Sequence, residues 1–181
     1  MSRFEAVDPS HATGKAKELL DGIQAKLGMV PNILRVLAAS PSALEAYAGL
    51  SGALSHGTLS ASLRERIALT VAEANRCEYC LAAHSATGRA LGLSEEQVID
   101  SRSGTAPDSK IGAALQFARE LVEARGWVDE SSISRLHGAG FGDGEIAEIV
   151  ANTALHIFMN YFDHVAKPAL DFPKALVLAA R

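Results

Sequence analysis

Cysteine is almost missing from this sequence: Cys77 and Cys80 are the only two, separated by two residues. A structural zinc site of the usual paired type has no second cysteine pair to draw on. Basic clusters are missing too. The formal net charge is −4 and the isoelectric point is about 5.9, so a nucleic-acid or acidic-membrane partner has no electrostatic support. The opening residues, Met1-Ser2-Arg3-Phe4-Glu5-Ala6-Val7-Asp8, hold no apolar run, and no signal peptide is expected. The longest apolar stretches are interrupted by His156, Asn160 and Asp163, so no segment is expected to span a bilayer. Nowhere do β-branched or aromatic residues alternate over a strand's length, which excludes a sheet. The expected location is the cytoplasm, where a close cysteine pair points to catalysis or metal binding before a structural staple.

What is present is helical pattern. With 181 residues, of which 48% are hydrophobic and 21% charged, the chain reads as one domain, residues 1–181, with enough apolar material for a core. After an extended arm over residues 1–9, apolar spacing and stop signals predict helices over about 10–26, 31–39, 42–55, 60–75, 78–91, 95–102, 109–125, 130–138 and 143–166. Gly28 ends the first, Pro31 fits the first turn of the second, and Ser94 with Gln97 forms a capping box. The expected fold class is all-α, with roughly eight helices. The loop Ser103–Asp108 separates two halves, each too short to bury much alone. The tail around Leu170-Asp171-Phe172-Pro173 either packs or extends outward.

The chain is organised around Cys77-Glu78-Tyr79-Cys80-Leu81-Ala82-Ala83-His84. On a helix, Cys77, Cys80 and His84 share one face. A thiol pair at this spacing can close a small disulfide, and an imidazole one turn on can take the proton that makes one thiol a thiolate. Cys77 falls at the turn into the helix and Cys80 in its first turn, where unsatisfied N–H groups favour a thiolate. The placement of His84 makes Cys80 the expected attacking thiol and Cys77 the resolving one. Zinc is the second reading of the run, its missing ligand coming from His56, His137, His156 or Glu65. Two inert buried cysteines are the third.

Glu65, twelve residues before Cys77, would fold back beside His84 if the two helices form a hairpin, giving a Glu–His–Cys relay. Ser62-x-x-Glu65 also reads as a capping box, which would occupy Glu65 instead. Glu73 is an alternative relay member, with a solvated helix charge as its ordinary role. Asn152, His156, Asn160 and His164 stand at four-residue steps and form a polar stripe. His156 either lines the thiol pocket or belongs to a stripe buried between subunits, and the second is the favoured expectation. Tyr79 either donates a hydrogen bond to substrate or packs as an aromatic. His56 reads as a charge at a helix C-terminus, and His11 and His137 carry no signal.

Three pieces, Arg64-Glu65-Arg66, Glu73-Ala74-Asn75-Arg76-Cys77-Glu78-Tyr79-Cys80 and His84, make the sequence resemble the carboxymuconolactone decarboxylase and alkylhydroperoxidase D superfamily, in particular its peroxidase-related branch. Gly28-Met29-Val30-Pro31-Asn32, Ser40-Pro41, Gly138-Ala139-Gly140-Phe141 and Asn160-Tyr161 extend the likeness over nearly the whole chain. The resemblance implies an all-α fold that assembles as a homo-oligomer, a trimer or a hexamer. It also implies reduction of hydroperoxides through the cysteine pair. Cys80 would attack, Cys77 resolve, and Glu65 and His84 relay the proton. A thioredoxin-like or dihydrolipoyl-protein dithiol would reduce the resulting disulfide, with no cofactor and no metal. Where the family's best-studied hydroperoxidases have a histidine directly before the second cysteine, this chain has Tyr79. The superfamily's lactone decarboxylases generally lack the cysteine pair, which disfavours decarboxylation. A general disulfide exchanger or redox sensor, a lactone decarboxylase-like enzyme, and a zinc-stabilised interaction protein are the alternatives.

Overall fold

Helices form wherever apolar spacing and caps coincide. The computed structural model describes residues 2–178, so Met1 of the expected arm lies outside the described residues. The elements are α1 (Gly14–Leu27), α2 (Asn32–Leu37), α3 (Pro41–Ser55), α4 (Ala61–Ala74), α5 (Glu78–Ala90), α6 (Glu95–Arg102), α7 (Ser109–Glu123), α8 (Glu130–Gly138) and α9 (Asp143–Ala166). That is nine helices and no strand among the described residues, an all-α fold with one helix for each of the nine ranges that the spacing predicts, against a rough count of eight.

The differences from the sequence expectation are local and have local causes. α1 begins at Gly14 rather than near Ser10 because the Asp8 carboxylate accepts the Ser10 N–H at 2.9 Å and the Ser10 hydroxyl at 2.7 Å, holding a turn there. Pro31 is the N-cap of α2 rather than a residue of its first turn. α4 is capped by Ser60, whose hydroxyl accepts the Leu63 N–H at 3.2 Å. Ser62 is therefore not the cap, and Glu65 is released from the capping-box role. Gly28 closes α1 in the left-handed region at φ 74°, and the Ser94–Gln97 capping box is complete.

α4 is the axis of the molecule. Eight of its side chains are buried, and it packs against α5, α6, α7 and α9. A helix buried along most of its length joins the two sides of the core. On one side Leu63, Ile67 and Val71 meet Leu115 and Phe117 of α7 and Ile149 of α9. On the other, Ala72 joins a cluster of Leu20, Leu34, Leu44, Cys77, Tyr79 and Met159. Full burial of a Leu- or Ile-sized side chain stabilises by about 1.5–3 kcal/mol. Between α4 and α6, Arg66 Nε donates to Ser101 Oγ at 2.8 Å, and Arg102 pairs with Glu73 at 2.7 Å.

The N-terminal arm and the segment after α9 lie against this frame. The Arg3 N–H donates to the Ala166 carbonyl at 2.8 Å and the Val7 N–H to the Arg35 carbonyl at 3.0 Å. α9 stops with Lys167 in the left-handed region, ahead of Pro168. The tail then turns back over α2 and α5, where Asp171 accepts the Asn32 N–H at 2.8 Å. It packs rather than extending outward. No helix among the described residues is long and apolar enough to cross a membrane.

Candidate active site

The site grows out of the tight turn between α4 and α5. Arg76 takes φ 55°, and the Cys77 N–H reaches back to the Ala72 carbonyl at 2.9 Å. This turn makes Cys77 the N-cap of α5, with its sulfur accepting the Cys80 N–H at 3.2 Å. Cys77 and Cys80 are joined as a disulfide, with Cα atoms 5.3 Å apart. The helix end therefore serves Cys77, not Cys80 as the sequence argument had it, because the cap residue's side chain is the one that faces the free N–H groups. The two sulfurs also differ in access. Cys77 is fully buried, whereas Cys80 lines a cavity of about 400 Å³.

Across that cavity stand Glu65 of α4 and His84 of α5, joined by a 2.7 Å contact between Glu65 Oε1 and His84 Nδ1. Gly88 makes room for Leu93 beside this helix pair: a methyl group there would sit 3.1 Å from Leu93 and in ordinary contact, 3.8 Å, with the Glu65 stem. Burial pulls the His84 imidazole toward its neutral form, but the charge and hydrogen bond of Glu65 outweigh it and raise its pKa above 6.5. His156 of α9 meets the His84 ring edge-on, with centroids 4.8 Å apart. Burial first, and the charge of His84 second, hold His156 well below 6.5 and neutral. The two imidazoles thus differ in character: Glu65 makes His84 the stronger base, while burial keeps His156 neutral. Tyr47 of α3 also lines the cavity; burial, with the Glu65 charge behind it, pushes its hydroxyl pKa up.

Other sequence candidates fall elsewhere. Glu73 lies outside the cavity, in its ion pair with the buried Arg102. The ring of Tyr79 lines the cavity, but its hydroxyl donates to the Asp171 carboxylate and accepts the Ile33 N–H at 3.3 Å. Burial, then that carboxylate, raises the Tyr79 pKa far above 10. Its hydroxyl is spent on holding the tail. Within one chain, Asn152 and Asn160 of the α9 polar stripe are buried, and His156 and His164 are half-buried. Asn152 and His156 line the cavity, and Asn160, fully buried, accepts the Asn75 side-chain N–H at 2.9 Å.

Two carboxyl groups near the cysteines escaped the sequence reading. Asp171 pins the tail so that Phe172 walls the cavity. Asp163, 5% exposed, lies with Oδ2 3.4 Å from Cys77 Sγ. It follows Asn160 by three residues, so a helical period of 3.6 rather than a strict step of four would have placed it on the inward face.

The sequence profile of the Carboxymuconolactone decarboxylase family matches residues 41–124, which span α3 to the end of α7 and hold both cysteines, Glu65 and His84. The fold matches an uncharacterized peroxidase-related protein from Silicibacter sp. TM1040 with a TM-score of 0.78 and 29% identity, over 95% of this chain and 97% of that one. It matches the alkylhydroperoxidase AhpD core of an uncharacterized peroxidase-related protein from Ralstonia eutropha JMP134 with a TM-score of 0.82 and 27% identity, over 94% and 92%. Residues 41–124 thus carry the Carboxymuconolactone decarboxylase family pattern, within a fold shared with peroxidase-related, alkylhydroperoxidase D-like proteins. A variant of the debrominase Bmp8 in complex with 2,3,4-tribromopyrrole shares the fold with a TM-score of 0.81, at 19% identity over 94% of this chain and 92% of that one. No curated protein matches the sequence.

Of the four residues that the sequence offers as a further zinc ligand, His56 is exposed and the other three are engaged in other contacts. Glu65 is paired with His84, His156 stacks on that ring, and His137 meets Asp143 at 2.8 Å. Cys77, Asp163 and His164 bring three donor atoms within 4.8 Å of one another, but a disulfide sulfur is not the thiolate that a metal requires.

Proposed function

We propose that this protein is a thiol-dependent hydroperoxide reductase acting on organic hydroperoxides. One observation carries the reading: of two cysteines at disulfide distance, only Cys80 opens onto a cavity, and that cavity also holds the Glu65–His84 pair. In the dithiol state, the Cys80 proton passes to His84, whose basicity Glu65 supports. The thiolate attacks the terminal oxygen of the hydroperoxide. The O–O bond breaks, the alkoxide takes the His84 proton and leaves as an alcohol, and Cys80 becomes a sulfenic acid. Cys77 condenses with it, releasing water and giving the Cys77–Cys80 disulfide. A thioredoxin-like or dihydrolipoyl-protein dithiol then reduces that bond by exchange, being oxidised to its own disulfide. The cycle as written uses side chains only.

The lining supports an organic substrate. Leu34, Leu54, Leu155, Met159 and Phe172 supply apolar walls, and about 400 Å³ is far more than hydrogen peroxide fills. A reducing compartment such as the cytoplasm fits the need for a dithiol partner. The outer face of α9 exposes Val150, Phe158, Tyr161 and Val165, which supports a homo-oligomer, trimer or hexamer, measurable by sedimentation.

The deciding experiment is a thiol count with mass analysis before and after one equivalent of an organic hydroperoxide, in the wild type and both cysteine variants. The wild type should pass from two thiols to a disulfide. Cys77→Ser should stop at a sulfenic acid on Cys80, and Cys80→Ser should not consume peroxide. Wild-type turnover in Cys80→Ser rejects the role assignment. Disulfide exchange without peroxide turnover leaves a general oxidoreductase or redox sensor. Dehalogenation of a bromopyrrole in its place identifies a debrominase-like enzyme.

A further inference from the structure

The cycle above leaves one buried ionisable group beside the disulfide without a task. Asp163 projects from α9 toward the N-terminus of α5 and is 5% exposed. Its Oδ2 is 3.4 Å from Cys77 Sγ, and among the described residues its carboxyl group has no other hydrogen-bond partner and no ion pair. A disulfide sulfur bears no proton. In the oxidised protein, a hydrogen bond across this 3.4 Å contact can be donated only by the carboxyl group.

The surroundings agree with a protonated acid. Burial raises the Asp163 pKa, against the pull of Lys167 and His164 on its own helix and with the added push of Glu78 from α5. Tyr79 of α5 also lies within its field, and its hydroxyl is held neutral by burial and by Asp171. Two donors thus converge on the Cys77 sulfur: the Cys80 N–H at 3.2 Å and the Asp163 carboxyl. Both are placed where negative charge appears when the S–S bond breaks toward Cys77.

We propose that Asp163 is the proton carrier of Cys77, a catalytic acid when the disulfide is reduced and a catalytic base when it re-forms. Reduction begins at Cys80, the sulfur that faces the cavity. A thiolate of the reductant bonds to Cys80 Sγ, the S–S bond breaks, and its electron pair goes to Cys77 Sγ. That thiolate takes the Asp163 proton, leaving a Cys77 thiol and a carboxylate. The second thiol of the reductant then displaces Cys80. On oxidation the Cys77 thiol returns its proton to Asp163 as its sulfur attacks the Cys80 sulfenic acid, and the departing hydroxide becomes water with a proton that the partly exposed His84, emptied by the alkoxide, has regained from solvent. The buried sulfur never has to exchange its proton with bulk water, which cannot reach it.

This inference rests on the disulfide-cycling half of the proposed function and not on the identity of the oxidant, so peroxide is left out of its test. Oxidised full-length protein is reduced with dithiothreitol across a pH series, quenched with iodoacetamide and analysed by mass. Asp163→Asn keeps the shape and a donor but cannot transfer a proton. It should be reduced about a hundredfold more slowly, with the loss of the carboxyl-dependent limb of the pH profile, and Asp163→Glu should restore that limb. Rates and profiles that superimpose on the wild type overturn the proposal. Should Asp163→Asn not fold, infrared difference spectra of the wild type labelled at aspartate decide. Reduction should remove the C=O stretch of one protonated aspartic acid, and an unchanged band overturns the proposal. A chain that forms no Cys77–Cys80 disulfide on oxidation overturns the cycle itself, a separable result.

Discussion

Replacing Glu65 with glutamine tests the relay most directly, because the variant keeps the shape and removes the charge. Glu65 Oε1 lies 2.7 Å from His84 Nδ1, and the two side chains are 12% and 23% exposed, so water screens the contact only in part. A hydrogen bond to a charged partner in such a place contributes about 1.5–3 kcal/mol, and at 1.36 kcal/mol per tenfold this is a factor of about 10 to 150. Turnover of an organic hydroperoxide with dithiothreitol as reductant should fall by that factor in Glu65→Gln.

The pH dependence has a definite sign. In the wild type, Glu65 outweighs burial and lifts the His84 pKa above 6.5. The pair's stability is then fully present below 6.5 and is lost as pH rises through the raised folded value. In Glu65→Gln only burial remains, and the neutral ring is favoured. Denaturant titrations should therefore show a stability gap between the two proteins that is widest on the acid side of neutrality and closes as pH rises. Iodoacetamide trapping of Cys80 should shift to higher pH in the variant, since a weaker base takes the thiol proton less readily. Unchanged turnover together with an unchanged alkylation profile would refute the relay, as would a gap that widens with pH.

Three further outcomes follow from other contacts. His156 is held neutral with its pKa well below 6.5, so the wild type loses stability as pH falls below 6.5, and His156→Asn should flatten that acid slope in denaturant titrations. Asp171→Ala leaves the Tyr79 hydroxyl and the Asn32 N–H without their acceptor, and should cost about 1–3 kcal/mol and speed proteolysis within the tail. Gly57→Ala drives a methyl group into the Glu148 carboxylate, which is held by Thr58 N–H at 2.8 Å, Thr58 Oγ1 at 2.7 Å and Leu59 N–H at 3.0 Å. That substitution should cost about 1–3 kcal/mol by equilibrium denaturation, and less in a Glu148→Ala background.

The all-helical class, the order of the helices and the chemistry of the cysteine run could be read directly from residue order. Periodicity and caps act within a turn or two of the chain, so α5, α6 and α9 stand close to where the spacing predicted them. The choice between a relay and a cap for Glu65 was not local. It needed Ser60 to take the cap and α5 to pack against α4, and only then could a carboxylate nineteen positions away meet His84. Likewise, Glu73 was lost to Arg102 and the Tyr79 hydroxyl to Asp171, partners 29 and 92 residues distant. Which sulfur faces the cavity and which faces Asp163 belongs to the packing of α9 against α5. Residue order names the reactive atoms, because their chemistry is intrinsic. Packing decides their partners, exposure and protonation, because these depend on distances in space that the order of residues along a chain does not contain.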